Sequence, residues 1–205
     1  SSTSRGLGDV YKRQTLDREE MDAYELGWRF RPTEDLLFEL STYLYDTKNA
    51  VRAATSLTSV NAYEAKDAKA FGGELSIDYR ASDLWRIRGG YSFARGEVEG
   101  ARVYDFPENT ASLSSHFKYS DDVTLIQNLF YSGKTEIASD YNPITIPSHL
   151  RLDLGVVWQT NGDWEIGLFG RDLLEPYHTE TMFPGVDVEP ARVERTFMLT
   201  LLKKF

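Results

Sequence analysis

Three histidines are the residues of this 205-residue chain best suited to proton or metal chemistry. His116 stands near Ser114 and Lys118, His149 beside Arg151 and Asp153, and His178 two residues before Glu180. A histidine with a hydroxyl and a carboxylate can run acyl transfer, and one with a carboxylate alone can move a proton. Nothing in the spacing gathers these groups. There is no G-x-S-x-G elbow, no H-E-x-x-H and no metal-ligand spacing. The chain has no cysteine, so it offers no thiolate nucleophile, no Cys-ligated zinc and no disulfide. Gly72–Gly73 and Gly89–Gly90 fall inside extended segments, where paired glycines mean a bend or close packing, not a phosphate cradle. The reading is therefore no catalytic residue, no metal site, no cofactor and no enzyme.

A second set of chemistry-bearing residues is charged: Glu74, Asp78, Arg80, Arg86, Arg88, Arg151, Asp153 and Arg171. They share one face of segments whose other face is apolar. Such a row needs water, a partner or mutual pairing, and pairing with strand neighbours is the simpler alternative.

The elements that position both sets alternate with period two. "YELGWRFR" opposes Tyr24, Leu26, Trp28 and Phe30 to Glu25, Gly27, Arg29 and Arg31. "FGGELSIDYR" opposes Phe71, Leu75, Ile77 and Tyr79 to Glu74, Ser76, Asp78 and Arg80, and "LRLDLGVVW" opposes four aliphatics and Trp158 to Arg151, Asp153 and Gly155. Strict alternation marks strands with one apolar face. About nine such strands of roughly 8 to 11 residues follow, longer than the usual globular strand. Their connections alternate too. Short turns are expected at Pro32–Asp35, Ala81–Leu84, Ser120–Asp122 and Thr160–Asp163, and long polar loops near Asp46–Asp67, Arg95–Glu108, Ser132–Pro147 and Glu175–Ala191. Every tight turn then lies at one end of the sheet and every long loop at the other.

Aromatic placement specifies the solvent. Trp28, Trp85, Trp158 and Trp164 all map to the short-turn end, while Tyr45, Tyr91 and Tyr131 map to the long-loop end. An apolar band between two aromatic girdles is the layout of a transmembrane β-barrel, with the rings at headgroup level. Lipid offers no hydrogen bonds to an open sheet edge, so such a wall must close. A soluble β-sandwich also alternates, but it predicts neither the strand length nor the loop asymmetry nor the tryptophan positions. The fold class is all-β, an antiparallel up-and-down barrel wall.

Charge excludes one class of partner. With 23 Lys+Arg against 32 Asp+Glu the net charge is −9, a poor match to nucleic acid. The opening "SRGLGDVYKRQ" (Ser4–Gln14) is different in kind, since it alternates nothing and leads into no periodic segment. It resembles the in-frame translation of a transposase sequencing adapter. Residues 1–14 are accordingly expected to be non-native, and residues 15–205 to be part of a longer protein.

Several stretches resemble the C-terminal part of the barrel of TonB-dependent outer-membrane receptors. They are "DAYELGWRFRP", "FGGELSIDYRASDLWRIRGGYSF", "IPSHLRLDLGVVW", "GLFGRDLLEPYH" and "RTFMLTLLKKF". "GRDLLEPYH" is similar to that family's G-x-N-L-x-D-x-x-H segment, with Asp172 where Asn is usual. The terminal Phe205, preceded by Leu201, Leu199 and Phe197 at alternate positions, is similar to the signal read by the barrel-assembly machinery, and Lys203 departs from it. The resemblance implies the last nine or so strands of a barrel of about 22. It implies active uptake of an iron–siderophore, cobalamin or similar small-molecule ligand across the bacterial outer membrane. The implied partners are the protein's own N-terminal plug domain, which the charged row would face, TonB, and outer-membrane lipid with lipopolysaccharide. A complete small barrel acting as pore, adhesin or hydrolase is the alternative.

Overall fold

The computed structural model describes residues 17–53, 63–137, 144–181 and 191–203. Its strands, in chain order, are β1 (Glu20–Thr33), β2 (Leu36–Ala53), β3 (Tyr63–Ser82), β4 (Trp85–Val98), β5 (Ala101–Val103), β6 (Asn109–Lys118), β7 (Val123–Ser132), β8 (Thr135–Ile137), β9 (Ile144–Ile146), β10 (His149–Gln159), β11 (Trp164–Arg171), β12 (Tyr177–Thr181), β13 (Ala191–Glu194) and β14 (Thr196–Lys203). Ten of them form one antiparallel sheet: nine run in the order β1-β2-β3-β4-β6-β7-β10-β11-β14, each long strand beside the next along the chain, and β5 pairs with β4. Among the described residues β1 and β14 are the two ends of this order and do not pair with each other. The short turns fall where expected. Residues 1–14 and Phe205 lie outside the described residues.

Two features of the long-loop end differ from the expectation of plain loops. β2 and β3 run to 18 and 20 residues and stay paired well into the segment expected as loop. Hydrogen-bonded pairing does not need an apolar face, so it continues beyond the point where lipid demands alternation. Salt bridges such as Lys69–Asp46, 3.3 Å, take the place of apolar pairs there. A bulge between Thr47 and Ala50 lets the ribbon twist, with Asn49 in the left-handed region (φ 54°) and its N–H donated to Asp67 at 3.1 Å. The other connections carry hairpins of their own, β8–β9 and β12–β13, and β5 pairs back on β4.

Register sorts the side chains onto two faces. Leu40 lies opposite Leu75, Leu75 opposite Tyr91, Leu113 opposite Leu129, Leu129 opposite Leu152 and Leu168 opposite Leu199. On the reverse face Arg29 lies opposite Glu39, Ser41 opposite Glu74, Asp78 opposite Arg88 and Asn128 opposite Asp153. Among the described residues the apolar face packs on no second layer: Leu75, Leu113 and Val156, on central strands, are each at least 40% exposed, and Ile146 is the one buried apolar side chain. A sandwich would bury this face against a second sheet. A sheet with so much exposed aliphatic surface is a wall whose solvent is hydrocarbon.

Glycine allows close packing on the polar face at Gly72, Gly155 and Gly167, and at Gly72 the nearest atom is backbone. A Cβ on Gly72 would lie 2.3 Å from the Phe93 carbonyl oxygen and 2.5 Å from the Tyr43 hydroxyl. Because the nearest atom is backbone, relief requires moving β4. Gly72→Ala is expected to destabilise the sheet by about 1–3 kcal/mol, read as a lowered melting temperature of the detergent-solubilised protein. An unchanged melting temperature would mean that this close approach is absent in the native barrel.

Candidate functional site

The polar face carries the functional candidates, and register divides the charged row into two clusters. Asp78, Arg80, Arg86 and Arg88 gather near the short turn between β3 and β4. Arg86 Nε donates to Asp78 Oδ1 at 2.8 Å, Arg88 lies directly opposite Asp78, and Arg80 directly opposite Arg86. Arg86 is the guanidinium that pairs with Asp78, and Arg80 Nη1 lies 3.9 Å from Asp35 Oδ1, so three cations share two carboxylates there. Glu74 sits farther up β3, opposite Ser41 and Ser92. His116 faces Arg86 on the next strand, away from the other two histidines.

Arg151, Asp153 and Arg171 belong to the second cluster, at the long-loop end where β10 begins and β11 finishes. Asp153 Oδ2 lies 3.4 Å from Arg151 Nε and 3.8 Å from Arg171 Nε. Asp153 Oδ1 accepts the N–H of Asp172 at 3.0 Å. Arg151 also lies over the Phe130 ring, 4.3 Å from its centroid. That ring is on the polar face, so the cation covers an apolar patch there.

Above this cluster the chain folds a loop hairpin back onto the wall. Asp172 leaves β11 in the left-handed conformation (φ 56°), which Asn and Asp tolerate better than most residues. The turn drives its carboxylate inward until it is 1% exposed. Asp172 Oδ2 meets His178 Nδ1 at 2.7 Å, and His178 Nε2 meets Glu180 Oε1 at 3.0 Å. His178 and Glu180 are neighbours because residues two apart on a strand share a face. Burial pushes the His178 imidazole down, but its hydrogen bonds to Glu180 and Asp172 outweigh that and hold it above its ordinary value. The same contact holds Glu180 below the usual carboxylate range. His149, at the start of β10, stacks on His178 with ring centroids 4.2 Å apart. A recess of about 280 Å³ opens beside them, lined by Phe130, Thr135, Ile146, His149, Arg151 and Glu180.

Sequence spacing did not predict this assembly. The fold brings His149, His178 and Glu180 together and leaves His116 out. The His-x-Glu pair and Asp172 in place of Asn are visible in the sequence, but neither shows that His149 joins them. A second loop-base network joins Arg95, Arg102 and Glu108, and the Arg102 hydrogen bond is the main reason Glu108 is held below the usual carboxylate range.

The tryptophans lie near the short-turn ends of their strands. Trp28 stacks on Phe30, Trp85 packs edge-on against Phe117 and donates Nε1–H to Ser115 at 2.9 Å, and Trp158 lies opposite Val123. Trp164 carries Lys203 Nζ 5.3 Å from its ring centroid, so the one charge that departs from the terminal apolar alternation rests on an aromatic at the rim. Tyr91 and Tyr131 sit on the apolar face toward the long-loop end. Tyr45 is placed otherwise: it stands on the polar face, stacked on Tyr43 and donating its hydroxyl to Glu25 at 2.6 Å.

Comparison with known proteins follows the same geometry. The family described as TonB dependent receptor-like, beta-barrel, matches residues 2–173. No curated protein sequence matches the chain. Among solved structures, the pyoverdine outer membrane receptor FpvA from Pseudomonas aeruginosa PAO1 superposes with a TM-score of 0.77 at 17% identity, over 93% of this chain and 30% of that one. The ferric-catecholate import receptor Fiu from E. coli K12 gives 0.71 at 18% identity, over 89% and 26%. The FrpB iron transporter from Neisseria meningitidis gives 0.69 at 15%, over 91% and 31%. The chain therefore spans between a quarter and a third of the length of these structures. They are receptors and transporters, not enzymes. An antiparallel wall with an unburied apolar face, short turns at one rim and long loops at the other, matched by the family profile over most of its length, shows that the chain belongs to the TonB-dependent receptor β-barrel family of the Gram-negative outer membrane.

Proposed function

We propose that this chain is the C-terminal barrel wall of a TonB-dependent importer of a scarce nutrient, in the class of iron–siderophore complexes, cobalamin and similar ligands. The observation that carries the reading is the two-faced, two-ended sheet within a matched receptor family. Its apolar face suits lipid, its charged face suits a plug, and its loop-rich end suits capture of a ligand outside the cell. The excess of guanidinium groups around Asp78 favours an acidic surface on the plug domain opposite it. Phe205 would serve the barrel-assembly machinery, and the loops would border lipopolysaccharide.

Transport tests this directly. Cells expressing the intact gene that carries the chain are supplied with radioactive ferric chelates or cobalamin under starvation. Accumulation is expected for one of these, falling to background when either the gene or TonB is deleted. Accumulation that survives loss of TonB would overturn the reading in favour of a passive pore.

A further inference from the structure

We propose that His149, His178 and Glu180 form a binding site for one divalent transition-metal ion of borderline softness, with zinc the reference case, at the base of the β12–β13 loop hairpin. One ligand atom from each of the three lies within 4.8 Å of the others. Bound to a tetrahedral ion at roughly 2.0–2.2 Å, the same atoms would be about 3.4 Å apart, so closure asks for shifts of about an ångström. Two imidazoles and one carboxylate, leaving a fourth position for water or substrate, suit zinc and its first-row neighbours and not calcium or magnesium.

Three further observations favour an ion over a merely structural cluster. Asp172 already grips His178 at Nδ1, the arrangement by which a carboxylate orients a metal-bound imidazole and leaves Nε2 for the ion. His149 Nδ1 is buried and has no hydrogen-bond partner among the described residues. The recess along His149 and Glu180 gives an ion and its water a way in. Two features of the present arrangement must yield. The His149 ring has to turn out of its stack on His178 to aim a lone pair at the shared point, and no hydrogen bond at Nδ1 resists that turn. Arg151 Nη1, 3.9 Å from Glu180 Oε1, is the charge with which the ion competes. On binding, the ion takes the place of the Nε2 proton between His178 and Glu180, and that proton leaves to solvent. The ion would tie the loop hairpin to the start of β10.

The intact outer-membrane protein, purified metal-free in detergent, is titrated with zinc chloride by calorimetry. One equivalent is expected to bind. His149→Ala and Glu180→Gln should each weaken binding at least tenfold. Asp172→Asn should weaken it by roughly ten- to a hundredfold through the orientation of His178. Arg151→Gln should tighten it, a result that a purely structural role for these residues does not produce, and His116→Ala should leave it unchanged. A folded state is verified for each variant by the heat-dependent shift in gel mobility. Binding that is absent, or that survives His149→Ala and Glu180→Gln in folded protein, overturns the site. The measurement needs neither TonB nor a transported ligand, so this proposal and the uptake reading fail separately.

Discussion

Leu113→Arg is expected to abolish assembly of the barrel. Leu113 stands midway along β6, opposite Gly89 on one side and Leu129 on the other, and it is 48% exposed on the apolar face. An arginine at the bilayer midplane of a barrel costs about 2–4 kcal/mol. Neighbouring strands cannot offset it, because Leu129 and Gly89 offer no counter-charge. Ser112→Arg, one residue earlier, places the same side chain on the polar face opposite Gly90 and Phe130, where water and charged neighbours receive it. The pair is compared by recovery of the folded, heat-modifiable form from outer-membrane fractions. The expected result is little or no folded Leu113→Arg protein and near-normal Ser112→Arg protein. Equal recovery of both would mean that the face assignment is inverted or that the wall does not meet lipid.

Asp172→Ala should release the loop hairpin. Removing one member of a buried ion pair leaves the other uncompensated, at a cost of about 3–5 kcal/mol, and Glu180 at Nε2 places this case at the low end. The destabilisation is local, because the long strands do not depend on the β12–β13 hairpin for their pairing. It should therefore appear as faster proteolytic cleavage between residues 172 and 195 with no change in the folded gel band. Asp172→Asn keeps an oxygen acceptor for His178 Nδ1 and tolerates the left-handed backbone, so its cleavage rate should rise far less. If alanine and asparagine variants resist protease as well as the parent, the Asp172–His178 contact does not hold the loop.

Much of this architecture was readable residue by residue. Alternation in "YELGWRFR" or "LRLDLGVVW" is a local property, since each side chain's face depends only on its own position modulo two. Nine strands, two faces and the two-ended arrangement of turns and loops all follow from it. That the four tryptophans lie beside short turns was readable from their distance along the chain to each turn. Tyr45 was expected in the girdle from its height along the strand, although in "FELSTYLY" it alternates with Leu44 onto the row of Glu39 and Ser41. Register settles the point through partners from other strands, the Glu25 carboxylate and the Tyr43 ring.

Outside the bilayer that local logic lapses. The extensions of β2 and β3 and the β8–β9 and β12–β13 hairpins lie where no lipid enforces an apolar face, so pairing leaves no periodic trace in the residues. By itself, then, the sequence determined most of the two-faced strands, because lipid on one side and water on the other impose period two on membrane-crossing segments; β7 is the exception, with Gln127 on the apolar face and Ile126 and Phe130 on the polar one. Only the tertiary structure decided which charges meet. Asp78 finds Arg86 through the β3–β4 register, and His178 finds His149 because Asp172 turns the chain back over β10. Those contacts depend on strand register and on one buried carboxylate, which no local pattern encodes.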